Sequence, residues 1–209
     1  VFPIFATAQK KPISIATDIG MQRSFKKEQQ YWAVGHTIQL QYHVSPKDAP
    51  YLWLSYYSNG KFVNHLTATA KLPITVPQQI NYDNNAKMHF KQFSIGWKRY
   101  LKGSYDAVEK WNMYGYGGFG LVLGWVNNSH DKNIDTSLYV VPVRAGKANF
   151  KRLTVDLGLG AEFPVGADIY FYTEGRVWLP TTDYPSKFIF VNKDAPLLGM
   201  FNLGIRVLF

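Results

Sequence analysis

Three groupings of residues in this chain could do chemistry. Ser and His come close in His43-Val44-Ser45 and in Asn128-Ser129-His130-Asp131. Nucleophilic catalysis needs a hydroxyl within hydrogen-bond reach of an imidazole that a third group orients. Ser45 runs straight into Pro46, and Ser129-His130 sits in a run of turn-forming residues, so both read as turns rather than catalytic pairs. Glu162 and Glu174 could serve as paired carboxylates, but Arg176 and Arg206 nearby make a structural ion-pair network the better reading. The five His (36, 43, 65, 89, 130) form no ligand pair, and there is no Cys. No catalytic residue, metal site or cofactor site is therefore expected.

The charged residues become informative once the elements that carry them are drawn. Strict alternation puts successive side chains on opposite faces of a strand. Residues 153–163 set Leu153, Val155, Leu157, Leu159, Ala161 and Phe163 against Thr154, Asp156, Gly158, Gly160 and Glu162. The same rhythm runs through 13–22, 32–44, 169–179 and 199–209, and less tidily through 51–58, 89–101 and 111–126. In 51–58, Tyr51, Trp53 and Tyr57 blur the parity. That predicts eight strands in one domain over residues 9–209, with ten as the alternative. The connections alternate between short (45–50, 102–110, 164–167) and long (23–31, 59–88, 127–152, 180–198), the mark of an up-and-down meander. Leu138-Tyr139-Val140-Val141 and Phe188-Ile189-Phe190-Val191 are read as extensions of neighbouring strands within those long loops.

The 209 residues are 46% hydrophobic, yet only 18% are charged and no apolar run approaches the ~20 residues of a membrane-spanning helix. The strands, in contrast, have the length of tilted strands that cross a bilayer. Their polar faces carry Asp18, Lys98, Asp156, Glu162, Glu174, Arg176 and Arg206. Four acids against three bases suit an enclosed lumen of ion pairs, whereas a solvated outer face would not require the balance. The apolar faces carry rings near strand ends: Trp32, Tyr42, Trp111, Trp125, Phe201 and Phe209. Such rings favour the headgroup level, so they are expected to form aromatic girdles. The prediction is an all-β, eight-stranded antiparallel transmembrane barrel with its apolar faces outward. The alternative is a soluble, lipocalin-like barrel with those faces inward.

The chain ends on Phe209, with Phe201, Leu203, Ile205 and Val207 on the same face. Together with LTVDLGLGAEFPVG, IYFYTEGRVWLP and FNLGIRVLF, this ending resembles the small outer-membrane β-barrel (porin-like) family of Gram-negative bacteria. The resemblance covers the last third well and the rest by strand rhythm. It implies that the terminal strand is the signal read by the barrel-assembly machinery. It also implies short periplasmic turns and long extracellular loops. Residues 1–8, which include Ala6-Thr7-Ala8, read as a signal-peptide remnant.

The net charge is +9, and the loops at 23–31, 59–88 and 127–152 carry most of it. Arg144, Lys147, Lys151 and Arg152 belong to that basic set. Outer-membrane lipids and the phosphates of lipopolysaccharide are the expected counter-charge. A protein partner or acidic surface polymer is the sharper alternative, and dispersed basic residues argue against nucleic acid. His36 is the misfit on an otherwise apolar face; it marks a candidate partner-facing wall. The functional expectation is a non-catalytic structural or binding barrel, or an accessory subunit of a secretion or assembly complex. A narrow channel or hydrophobic-ligand conduit is the second class, and a lipid-modifying enzyme the third.

Overall fold

The computed structural model describes residues 12–166, 168–181 and 197–209. The strands are β1 (Ile13–Ser24), β2 (Trp32–Tyr42), β3 (Asp48–Ala70), β4 (Gln79–Lys102), β5 (Asn112–His130), β6 (Tyr139–Val140), β7 (Gly146–Pro164), β8 (Ile169–Pro180) and β9 (Leu198–Leu208). All pairings are antiparallel, and eight strands close a ring in the order β1-β2-β3-β4-β5-β7-β8-β9. The seam joins β1 to β9 from Ser14↔Leu208 to Ser24↔Leu198. β6 is a two-residue ribbon on Thr69 and Ala70 of β3, outside the ring. The ring therefore has eight strands, not ten. The Leu138–Val141 segment extends the β3 edge, while Phe188–Val191 and residues 1–8 lie outside the described residues.

The ladder fixes the shape of the ring. From Ile19, one path of directly opposed residues runs through His36, Tyr56, Lys91 and Leu123 to Lys151 on β7. The other way, through Leu203 and Thr173, it reaches Ala161. The two arrivals lie ten residues apart, which is the shear of the barrel. For eight strands that shear demands the tilt of about 35–45° seen in closed barrels, with a lumen that side chains fill.

Strand length divides the ring in two. β1, β2, β8 and β9 have 11 or 12 residues, whereas β3, β4, β5 and β7 have 19 to 24. The four long strands stay paired well past the end of β2, out to Thr69↔Gln79, Asn84↔His130 and Asn128↔Gly146. They form a blade that rises roughly 20 Å beyond the rim. Most of residues 59–88 and half of 127–152, expected as loops, are strand.

The reason is a reversal of polarity within single strands. In the lower part of β4, Phe93, Ile95 and Trp97 point outward while Gln92, Ser94 and Lys98 are buried. In its upper part, Ala86, Met88 and Phe90 are buried and Asn85 and Lys87 point outward. β7 makes the same exchange: Leu153 is exposed below, Phe150 buried above. The lower belt is apolar outside and polar inside, as a bilayer requires; the blade is apolar inside and polar outside, as water requires. The apolar interior of the blade and outer lumen gathers Phe62, Met88, Phe90, Val126, Phe150 and Trp178 into one cluster.

Two substitutions test where the belt ends. Ile19→Arg, on the outward face beside the β1–β9 seam, should destabilise the barrel by about 2–4 kcal/mol in lipid-vesicle unfolding. Val63→Arg, outward on the blade, should change it by less than about 1 kcal/mol. Equal losses at both positions would refute the assigned belt edge.

Candidate functional site

The enclosed ions form two linked groups. Toward the short turns, Glu162 accepts hydrogen bonds from Lys98 Nζ at 2.5 Å, Arg206 Nη2 at 3.0 Å and the Tyr100 hydroxyl at 3.0 Å. Deeper in, Glu174 pairs with Arg176 and accepts from the Tyr114 hydroxyl at 3.0 Å and from Asn202 at 3.3 Å. Asp18 lies 3.7 Å from Arg176 and accepts from the Tyr172 hydroxyl at 3.1 Å. Asp156 stands beside them, accepting from Ser94, Gln92 and Thr154 at 2.5, 2.8 and 2.9 Å. All seven charged residues expected in the lumen are buried there.

Rings complete the network. The Arg176 guanidinium lies 4.0 Å from the Trp53 ring, Arg206 lies 3.9 Å from Tyr170, and Lys98 Nζ lies 3.6 Å from Tyr114. Each of these cations thus has a carboxylate at its edge and an aromatic face beside it. Tyr51, Trp53 and Tyr57, ambiguous in the sequence, all point inward. The rings fit because glycines face them: a Cβ at Gly158 would overlap Tyr116, and one at Gly204 would overlap Tyr172. Within the Gly-rich run of β5, Gly118 faces the Tyr51 hydroxyl and Gly120 the Asp156 carboxylate, while Leu159 and Leu157 lie over Gly115 and Gly117. These glycines make room for neighbouring side chains.

Arg152 corrects the charge reading. It is buried on the inward face of β7, not displayed on a loop. With it the buried set becomes four acids (Asp18, Asp156, Glu162, Glu174) and four bases (Lys98, Arg152, Arg176, Arg206).

The Ser–His motifs also resolve. His43 turns inward, and its Nε2 lies 2.7 Å from Oγ of Ser14 on β1, not Ser45. Ser45 instead donates to Asp48 at 3.1 Å. Arg206 donates to the Ser14 oxygen at 2.9 Å and to the Tyr105 carbonyl at 2.7 Å, and Tyr105 stacks on His43 with centroids 4.2 Å apart. The pair is enclosed: Ser14 is fully buried, its oxygen is taken up by Arg206, and among the described residues no group accepts from or donates to His43 Nδ1. That geometry ties β1, β9 and the turn after β4 together at the short-turn end. His130 stands 4.6 Å from the Tyr82 ring at the blade tip, where burial lowers the affinity of its imidazole for a proton.

Outside, the expected girdle residues all face away from the lumen. Trp32, Tyr42, Trp111, Phe201 and Phe209 are exposed and Trp125 is half-buried. Phe201 stands opposite Gly175 at the middle of β8, lower in the wall than Trp32. Leu203, Ile205 and Val207 continue the outward face of the seam strand. On the blade, Lys61 of β3 lies directly opposite Lys87 of β4, Lys87 opposite Asn127, and Asn127 opposite Lys147. Lys61, Lys87, Asn85, Asn127 and Ser129 line a groove of about 390 Å³. By contrast Lys71 and Lys132 are tied to the carbonyls of Thr136 and Asn81. The Lys61–Lys87 pair leaves no local sequence signal, because it exists only in the register of β3 on β4.

Glu162→Gln removes the anion that Lys98 and Arg206 share, leaving buried charge uncompensated. It should cost about 3–5 kcal/mol in urea unfolding. Adding Lys98→Met should recover part of that loss. A loss under about 1 kcal/mol would mean that these ions are hydrated.

No known family model matches the sequence, and no curated protein sequence does. Solved structures do. Neisserial surface protein A (NspA) superposes with a TM-score of 0.55 at 11% identity, covering 95% of this chain and 97% of that one. The N-terminal β-barrel domain of Pseudomonas aeruginosa OprF gives 0.54 at 10% identity, covering 96% and 100%. Ail, the attachment invasion locus protein of Yersinia pestis, solved in complex with the heparin analogue sucrose octasulfate, gives 0.51 at 11% identity, covering 94% and 97%. With its apolar belt, enclosed ions and eight-stranded ring, the chain has the fold of the small bacterial outer-membrane β-barrels.

Proposed function

We propose that this chain is a non-catalytic barrel of the outer membrane that binds an anionic surface polymer through the outward face of its blade. The Lys61–Lys87 pair carries the reading. Two like charges placed directly opposite on one face of a sheet repel, at a cost of about 1 kcal/mol in water. An anion bound between them reverses that sign. Asn85, Asn127 and Ser129 supply neutral hydrogen-bonding groups in the same groove, which suits a sulfated, phosphorylated or uronic-acid saccharide better than a bare ion. The sulfated ligand of Ail supports this class. With the short turns in the periplasm, the blade stands at the height of surface carbohydrate.

The conduit reading fares worse. A water-filled channel exposes its lining, whereas lumen residues on all eight ring strands are buried. The accessory-subunit reading keeps one specific support. Between Ser58 and Thr69, no described strand pairs with the edge of β3 that faces away from β4. An open edge can accept a strand from another chain.

Binding to immobilised heparin should be measurable and should fall as salt rises. Lys61→Ala/Lys87→Ala should weaken it about tenfold, and Lys47→Ala at the opposite rim should leave it unchanged. Salt-independent binding, or equal loss in the Lys47 variant, would refute the assignment.

A further inference from the structure

The wall formed by β2, β3 and β4 carries groups that neither the bilayer nor the blade explains. His36, Tyr56 and Lys91 occupy one cross-strand row on the outward face, His36 opposite Tyr56 and Tyr56 opposite Lys91. The His36 and Tyr56 rings are 5.9 Å apart. The row lies below the Lys61–Lys87 pair, at the upper edge of the belt. Beside it Ile38, Leu54, Phe93 and Leu123 line a cleft of about 380 Å³. That size is in the range of small-molecule sites. The cleft is concave and mostly apolar, and its polar groups gather toward the blade.

Charge complementarity selects the occupant. Lys91 rests near the Trp125 ring, 5.4 Å from its centroid, and no carboxylate lines the cleft. A cation on a lipid-facing wall is costly unless it snorkels to the interface or meets an anion. A second barrel would present a convex wall to a concave site. An acyl chain ending in a phosphate matches both halves: the chain fits the apolar floor, and the phosphate accepts charge-assisted hydrogen bonds at its edge.

We propose that this cleft binds one anionic membrane lipid, its acyl chain against Ile38, Leu54 and Phe93 and its phosphate between His36 and Lys91. The Tyr56 hydroxyl is a further donor at the same edge. The site is separate from the blade groove and does not depend on the polymer that groove binds.

Native mass spectrometry of the detergent-solubilised barrel tests it, with dimyristoyl phosphatidylglycerol and dimyristoyl phosphatidylcholine as probes of equal chain length. The expected result is a one-to-one phosphatidylglycerol adduct about tenfold more populated than the phosphatidylcholine adduct. His36→Leu/Lys91→Leu should abolish that preference while the barrel keeps its folded mobility on unheated gels, since Leu suits a lipid-facing position. Lys110→Leu, at the short-turn end, should keep it. Equal retention of the two lipids by the native barrel, or an undiminished preference in the double variant, overturns the proposal. So does an inorganic-phosphate adduct as strong as the lipid's. A His36→Cys barrel that cross-links to a second copy in vesicles, in place of retaining lipid, overturns it as well.

Discussion

The structure rests on enclosing charge among partners. An ion taken out of water into a narrow lumen is costly unless it is paired or hydrogen-bonded. Here Lys98 and Arg206 share Glu162, and Arg176 lies against Glu174 and Asp18. Phenols fill carboxylate lone pairs that the cations leave open, and rings cover the cation faces. Because the partners come from β1, β4, β7, β8 and β9, the network cross-braces the ring from within. The ladder sets the shear, and the ion pairs hold strands in the register that the ladder provides.

The fold was legible where one polarity rule held. Across 153–163, 169–179 and 199–209, most aliphatic side chains keep to one parity, so the facing of these strands is legible directly. The rule failed where the solvent changes. At Phe90 and Phe93 the same strand buries one ring and exposes the other. A reader following one parity sees the pattern dissolve there and writes a loop. The loss of phase was the signal: it marks the level at which hydrocarbon gives way to water.

The sites were legible to a smaller degree. Seven lumen charges were recognisable because each falls on the polar parity of a regular segment. Arg152 escapes the pattern because it lies one residue before the first apolar position of the regular segment, Leu153. The Ser14–His43 contact joins residues 29 positions apart on neighbouring strands, and local motif reading found only Ser45. His36 stood out as a lone polar residue, but Tyr56 and Lys91, its row neighbours, needed the register of two further strands.

The seam carries a kinetic consequence. Ser14 finds Leu208 only after β2 to β8 have been made. Contacts this distant along the chain form late and slowly. Until β9 arrives, the half-finished sheet has two bare edges and a greasy face, an arrangement prone to aggregation. The interval between synthesis and closure is therefore the most dangerous period in this molecule's life, and whatever shelters the nascent sheet then governs its yield.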